Sequence, residues 1–234
     1  MISNLAGAPV HIGATRDDVY SAAAQTVLEA AQAWMNGAPS AHGDAPSIVV
    51  SGGATTPALL RVIADSWPLD ALPILIPSDE RWTTNPELSN ARELASYLTG
   101  TSFESCPILS PNPHVDIEAS AEDWSKRLAI VARPFIALLS MGDDGHVASL
   151  FPGLAVELIS DSVSVCRNSP KPPATRLSLS LEFLRKVPMR LMFAIGDGKM
   201  SSLKHLNEGG SLPASQVEPT HWFIDEVAAQ GLRR

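Results

Sequence analysis

The stretch SIVVSGGATTPALLRVIADSW, residues 47–67, decides the fold. Ser47–Ser51 is a short apolar run bounded by glycine, which reads as a buried strand. Gly52-Gly53-Ala54-Thr55-Thr56 turns the chain, and Pro57 opens a helical pattern that runs to Trp67. The same order of strand, polar turn and helix recurs downstream. Pro73–Pro77 (PILIP) ends at Ser78-Asp79-Glu80-Arg81, and a helix is expected from about Pro86 to Tyr97. Phe135–Ser140 (FIALLS) ends at Met141-Gly142-Asp143-Asp144-Gly145-His146. Leu191–Ile195 (LMFAI) ends at Gly196-Asp197-Gly198-Lys199, with a helix to about Asn207. Short apolar strands alternating with helices imply an α/β fold: a mostly parallel sheet flanked by helices on both faces. In such sheets ligands bind beyond the carboxyl ends of the strands, where these polar segments lie.

The rest of the chain fits around that frame. Asp17–Trp34 reads as a helix, with Asp17 and Asp18 at its positive end and Val19, Ala23, Val27, Ala30 and Trp34 at helical spacing. The segment 39–46 reads as a loop and Thr99–Ala119 as irregular, followed by a helix over Ala121–Val131. Ser162–Cys166 and Arg176–Ser180 alternate as strands, and Trp222–Ile224 is a last short strand before a C-terminal helix. With 234 residues, one domain over 1–234 is expected.

Composition narrows the function. The formal net charge is -8 and no run of Lys or Arg forms a basic stripe, which argues against nucleic-acid binding. An acidic protein that binds an anion must gather its positive charge in a cleft. Cys106 and Cys166 lie in no CxxC motif and read as reduced, buried thiols. The N-terminus has no basic segment followed by an apolar one, and no apolar run approaches the roughly 20 residues that cross a bilayer. A cytoplasmic protein with no membrane association is expected.

Several segments carry chemistry. Gly52, Gly53 and Thr55 form a nest of backbone N–H groups suited to an anion, although a plain strand–helix turn would look the same. Arg81 suits bidentate contact with phosphate, and Asp79 and Glu80 could hold its guanidinium. In Gly142–His146, two glycines allow close approach, and Asp143 or Asp144 could orient His146 as a base. One histidine and two aspartates in a tight turn lack metal-ligand spacing, so no metal is expected. Lys171 sits in the stiff segment Ser169-Pro170-Lys171-Pro172-Pro173 with Arg176 close behind, a candidate anion clamp. Lys199 stands at a helix start, where the dipole disfavours a cation unless an anion is bound nearby.

Together the segments SGGATTP (51–57), SDERW (78–82) with Ser89-Asn90, GDDGHVASLFPG (142–153), SPKPPATRLSLS (169–180), GDGK (196–199) and LPAS (212–215) resemble the 6-phosphogluconolactonase family. The related glucosamine-6-phosphate deaminases share the Asp-Gly-His core, but Ala148-Ser149-Leu150-Phe151-Pro152 follows the lactonase pattern. The resemblance implies a sugar-phosphate isomerase/deaminase-like fold and hydrolysis of a phosphorylated sugar lactone without metal or organic cofactor. It implies His146 as general base with Asp144 close to it. It implies Gly52, Gly53, Thr55, Asp79, Arg81, Gly145, Lys171, Arg176 and Lys199 around phosphate and sugar. A neutral His146 predicts activity that falls near pH ~6.5 for an unperturbed imidazole. A monomer or weak homodimer is expected. Two positions depart from the family pattern: Ser140 replaces a glycine, and Trp82 stands where a small or polar residue is usual. The alternatives are an isomerase or deaminase acting on an amino-sugar phosphate, and a non-catalytic sugar-phosphate sensor.

Overall fold

The computed structural model describes residues 3–37, 45–68, 70–130 and 134–233. Most of the expected loop at 39–46, and Val131 at the end of an expected helix, lie outside the described residues. In chain order the elements are β1 (Asn4–Leu5), β2 (Ala8–Gly13), α1 (Arg16–Gly37), β3 (Ser47–Val50), α2 (Thr55–Ala64), β4 (Ile74–Pro77), β5 (Asp79–Arg81), α3 (Asn90–Leu98), α4 (Ile117–Ile130), β6 (Ile136–Ser140), β7 (Glu157–Leu158), β8 (Val163–Cys166), β9 (Arg176–Leu179), α5 (Leu181–Lys186), β10 (Met189–Ala194), α6 (Met200–Asn207), α7 (Pro213–Gln216) and β11 (His221–Asp225). Three short 3₁₀ turns cover Pro86–Leu88, Asp197–Lys199 and Ala228–Leu232.

The main sheet has the order β1-β2-β11-β10-β6-β3-β4. All its pairings are parallel except the hairpin β1–β2. A second, antiparallel sheet has the order β5-β9-β8-β7. The mostly parallel sheet expected from sequence is therefore present, with a smaller sheet beside it.

Strand period explains how the main sheet is buried on both sides. Ile48 and Val50 of β3, with Ile136 and Leu138 of β6, face a core shared with Val19, Ala23, Val27, Leu59, Leu60 and Ile63. Val49, Ala137 and Leu139 face the opposite core, with Trp124 of α4 and Val165 and Leu177 of the second sheet. Each fully buried aliphatic or aromatic side chain contributes on the order of 1.5–3 kcal/mol. Caps fix the helix starts. Thr15 N and Oγ1 donate to Asp18 Oδ2 at 2.8 and 2.7 Å, while Asp18 N donates back to Thr15 Oγ1.

Several expectations need correction. The helix expected over Pro86–Tyr97 breaks at Ser89, which is extended and accepts from Arg92 N at 3.2 Å as the cap of α3. Asp79–Arg81, read as a loop, is strand β5. The expected C-terminal helix is only a 3₁₀ turn. There Gly231 packs so closely on Met200 that a Cβ would stand 2.2 Å from its carbonyl oxygen. Cys106 and Cys166 are free and buried.

Parallel strands are added outward in both directions from one place. The chain runs from β3 to the edge at β4, then returns to β6 and continues through β10 to β11. The switch lies between β3 and β6, so a crevice opens beyond their carboxyl ends. Ser51 N donates to Leu138 O at 2.9 Å, and Ser140 N donates to Ser51 Oγ at 3.1 Å, tying the two strand ends together.

Candidate active site

A cleft of about 370 Å³ occupies the switch point. Three strand-end segments of the main sheet line it with Gly52, Gly142 and Lys199, and the second sheet adds Asp79, Arg81 and Arg176. His146 and Lys171 complete its polar wall.

Gly142 is where β6 delivers the chain to His146. Gly142 N donates to His146 O at 2.8 Å, and Gly145 N donates to Gly142 O at 3.0 Å. This tight loop lays the imidazole over Gly142, where a Cβ would stand 2.0 Å from Cε1 and Nδ1. The glycine is therefore required by contact with the histidine. The ring also packs on Phe151, with centroids 4.5 Å apart.

Of the two candidate carboxylates, Asp144 is the one that meets His146. Its Oδ1 lies in hydrogen-bond contact with Nδ1 of the ring and accepts from His146 N at 3.2 Å. Asp144 does not line the cleft, so it stands behind the imidazole and leaves Nε2 as the other ring nitrogen. Burial pushes the His146 pKa below its ordinary value; Asp144 opposes that shift and the Lys171 charge adds to it. Burial thus favours the neutral form of the imidazole. Burial pushes Asp144 upward, but its bonds to His146 and the imidazolium charge outweigh it and the carboxyl ends lower. Asp143 turns the other way and pairs with Lys199 Nζ, which is the main cause of its lowered pKa.

The acids at 79 and 80 do not hold Arg81 as expected: Glu80, its strand neighbour, points to the opposite face, and Asp79, on the same face, is taken up by Ser149 and Arg176. Asp79 is buried, accepts from Ser149 Oγ at 2.6 Å, and lies 3.7 Å from Arg176 Nη1. Glu80 turns to the start of α3, accepting from Arg81 N, Asn90 N, Ala91 N and Ser89 Oγ at 2.7–3.0 Å. Burial nevertheless raises its pKa. The Arg81 guanidinium reaches Leu88 O at 3.1 Å and Glu93 at 4.0 Å.

Arg176 is mostly spent on the protein. Its Nε donates to Pro173 O, and its Nη2 to Lys171 O and Pro172 O, at 3.0–3.2 Å. It therefore fastens the Lys-Pro-Pro segment, helped by Ser169 Oγ donating to Lys171 O at 2.8 Å. Arg81 and Arg176 also stand directly opposite each other in the β5–β9 pair. Like charges so placed are unfavourable until an anion or carboxylate compensates them. Among the described residues, Arg81, Arg176 and Lys199 each have a carboxylate within 4.0 Å, whereas the Lys171 ammonium has none.

Two expected residues do not reach the cleft. The Thr55 hydroxyl lies beside Tyr20 of α1, and Gly145, at φ +82°, packs on Leu212 and accepts from Ala214 N. Gly52, Gly53, Asp79, Arg81, His146, Lys171, Arg176 and Lys199 all line it. Ser140 lines it too, while Trp82 packs on the core instead. Sequence reasoning overlooked Ser149 as the Asp79 partner and Phe151 as the floor under His146. Both lie in the quoted 142–153 segment, but no local spacing signals those contacts. Among the described residues, no group of three or more His, Cys, Asp or Glu is placed to hold a metal ion.

Residues 14–227 match the family model described as glucosamine-6-phosphate isomerases/6-phosphogluconolactonase. The chain is 27% identical over 246 residues to the 6-phosphogluconolactonase of Homo sapiens, covering 94% of this chain and 92% of that one. It is 34% identical over 136 residues to the 6-phosphogluconolactonase of Rattus norvegicus, a match that spans 53% of each. The crystal structure of the 6-phosphogluconolactonase from Thermotoga maritima superposes with a TM-score of 0.77 at 20% identity, covering 93% of this chain and 99% of that one. A monomeric glucosamine-6-phosphate deaminase shares the fold with a TM-score of 0.74 at 18% identity, covering 96% and 99%.

Proposed function

Since the chain belongs to the family of glucosamine-6-phosphate isomerases and 6-phosphogluconolactonases, we propose that it is a carboxylic ester hydrolase that converts 6-phospho-D-glucono-1,5-lactone to 6-phosphogluconate. The observation that carries this reading is the Asp144–His146 pair in a cleft that also holds Arg81, Lys171, Arg176 and Lys199.

Asp144 accepts from Nδ1–H, so the Nε2 lone pair is the base. It takes a proton from water as the oxygen attacks the lactone carbonyl, and the carbonyl electrons move onto oxygen. When that oxyanion collapses, the ring C–O bond breaks and His146 returns the proton to the departing ring oxygen. A lactone is a reactive ester, so a positioned base worth about 10²–10⁴ and orientation through the phosphate are sufficient. Lys171, which has no carboxylate partner among the described residues, and Arg81 take the phosphate together with the Gly52–Gly53 turn. Lys199 and Asp79 border the sugar, and Arg176 keeps Lys171 in place.

The test is proton release from freshly generated 6-phosphogluconolactone, corrected for spontaneous hydrolysis. Acceleration by the wild type and its loss in His146→Ala with an unchanged melting temperature are expected. No acceleration by the wild type, or full activity in the variant, overturns the reading. Ammonia released from glucosamine 6-phosphate would assign the deaminase activity instead.

A further inference from the structure

Asn90, the first residue of α3, lines the cleft and is only 4% exposed. Its Nδ2 donates to Asp79 O at 2.9 Å. That bond fixes which way the amide points, because a flipped amide would set carbonyl oxygen against carbonyl oxygen. The other end, Oδ1, is buried and has no hydrogen-bond partner among the described residues. It lies against Gly52, where a Cβ would stand 2.7 Å from it, so the oxygen occupies space that only glycine leaves open at the cleft wall. Glu80 and Ser89 hold the backbone of this helix start, so the acceptor is rigidly placed. A buried acceptor without a donor is uncommon and unfavourable, and a ligand that brings the donor recovers that loss.

We propose that Asn90 Oδ1 accepts a hydrogen bond from a ring hydroxyl of the phosphorylated lactone, and so makes Asn90 a specificity-determining residue. This inference rests on the lactonase reading. Arginine and lysine can grip a phosphate on any carrier, but they offer no acceptor. A hydroxyl, as a donor, pairs with Oδ1, whereas an analogue lacking it leaves the oxygen bare. Sites that pair a buried polar group with a substrate hydroxyl discriminate strongly against the analogue without it.

The experiment compares 6-phosphogluconolactone with three analogues, each lacking one ring hydroxyl, on wild type, Asn90→Leu and the smaller change Asn90→Ser. Wild type is expected to lose roughly tenfold or more in kcat/KM on one of the three. Asn90→Leu and Asn90→Ser should be slower on the parent lactone, yet show no further loss on that same analogue. If wild type handles all three analogues within twofold of the parent, the proposal is overturned whether or not either variant folds. It is also overturned if a folded variant still discriminates as wild type does. If wild type fails to hydrolyse the parent at all, the lactonase reading falls. The same comparison is then made on the dissociation constants of 6-phosphogluconate and its deoxy forms, where loss of discrimination supports the acceptor role and unchanged discrimination overturns it.

Discussion

Replacing Gly142 by alanine tests whether the imidazole is positioned by the loop that carries it. The added methyl would stand 2.0 Å from Cε1 and Nδ1 of His146, where ordinary contact begins at 3.4 Å. The ring must retreat by about 1.4 Å or the loop must open, and Phe151 already packs against the ring. A displacement of that size breaks the contact with Asp144. Misplacing a reacting group by about 1 Å costs on the order of 10²-fold in rate. Losing the carboxylate that selects the tautomer costs up to about 10⁴ in a comparable His–Asp pair. Gly142→Ala should therefore lower kcat by roughly 10²–10³, between those limits. KM should change little, because the cations are untouched. Overpacking should destabilise by about 1–3 kcal/mol. Gly37→Ala, with open space around it, is the control. The assay is lactone hydrolysis beside a thermal melt. A Gly142→Ala protein with more than half the wild-type kcat would refute the idea that the imidazole is fixed over this glycine.

Further outcomes are expected from pH and from three substitutions. Burial holds His146 below its ordinary pKa, so kcat/KM should stay level through pH ~6.5 and fall only at lower pH, as the folded protein gains the proton. Stability contributed by the neutral ring falls over the same window, from the unfolded pKa down through the folded one, and Lys171→Gln should move the acid limb of the rate profile upward; an unmoved limb would remove Lys171 from the field at the base. Arg176→Met leaves buried Asp79 without its cation and unfastens the Lys-Pro-Pro carbonyls, so denaturant titration should read a loss of about 3–5 kcal/mol, and a smaller loss than 1 kcal/mol would show the pair to be dispensable. Glu80→Gln puts an NH₂ group against N–H or O–H donors on one side of the carboxyl, for about 1–3 kcal/mol by the same titration, with wild-type stability as the contrary result.

The buried strands were legible because a parallel sheet covered on both faces demands continuous apolar runs, and SIVVS, PILIP, FIALLS and LMFAI supply them. β2, with Pro9 and His11 among its six residues, gave no such signal, since an outer strand can expose polar residues. β5 was hidden by its own chemistry. Asp79-Glu80-Arg81 carries no apolar residue, and it becomes a strand through its pairing with Arg176–Ser178, almost a hundred positions away. The site was legible as a set of segments because topology alone puts strand ends on one edge. Its internal wiring was not. Nothing local says that Asp79 faces Arg176 and Ser149 while Glu80 caps a helix, or that Thr55 turns to Tyr20. Those choices follow from the face each strand residue takes, which register decides.

That wiring also bears on how a chain of net charge -8 would bind the phosphorylated ligand proposed for it. The long-range field of such a protein opposes a phosphorylated ligand, so steering from a distance gives no help. Within the cleft most of the positive charge is already matched, by Glu93, Asp79 and Asp143, and the excess rests on Lys171. On the proposed reading the gain on binding arises at contact, where the phosphate meets the Lys171 charge beside the Arg81 and Arg176 guanidiniums that stand opposite each other on β5 and β9. Such a gain depends on geometry more than on total charge. On the same reading the buried guanidinium of Arg176, committed to three loop carbonyls, holds Lys171 still, so that a side chain with no carboxylate partner among the described residues meets the ligand with little freedom left to lose.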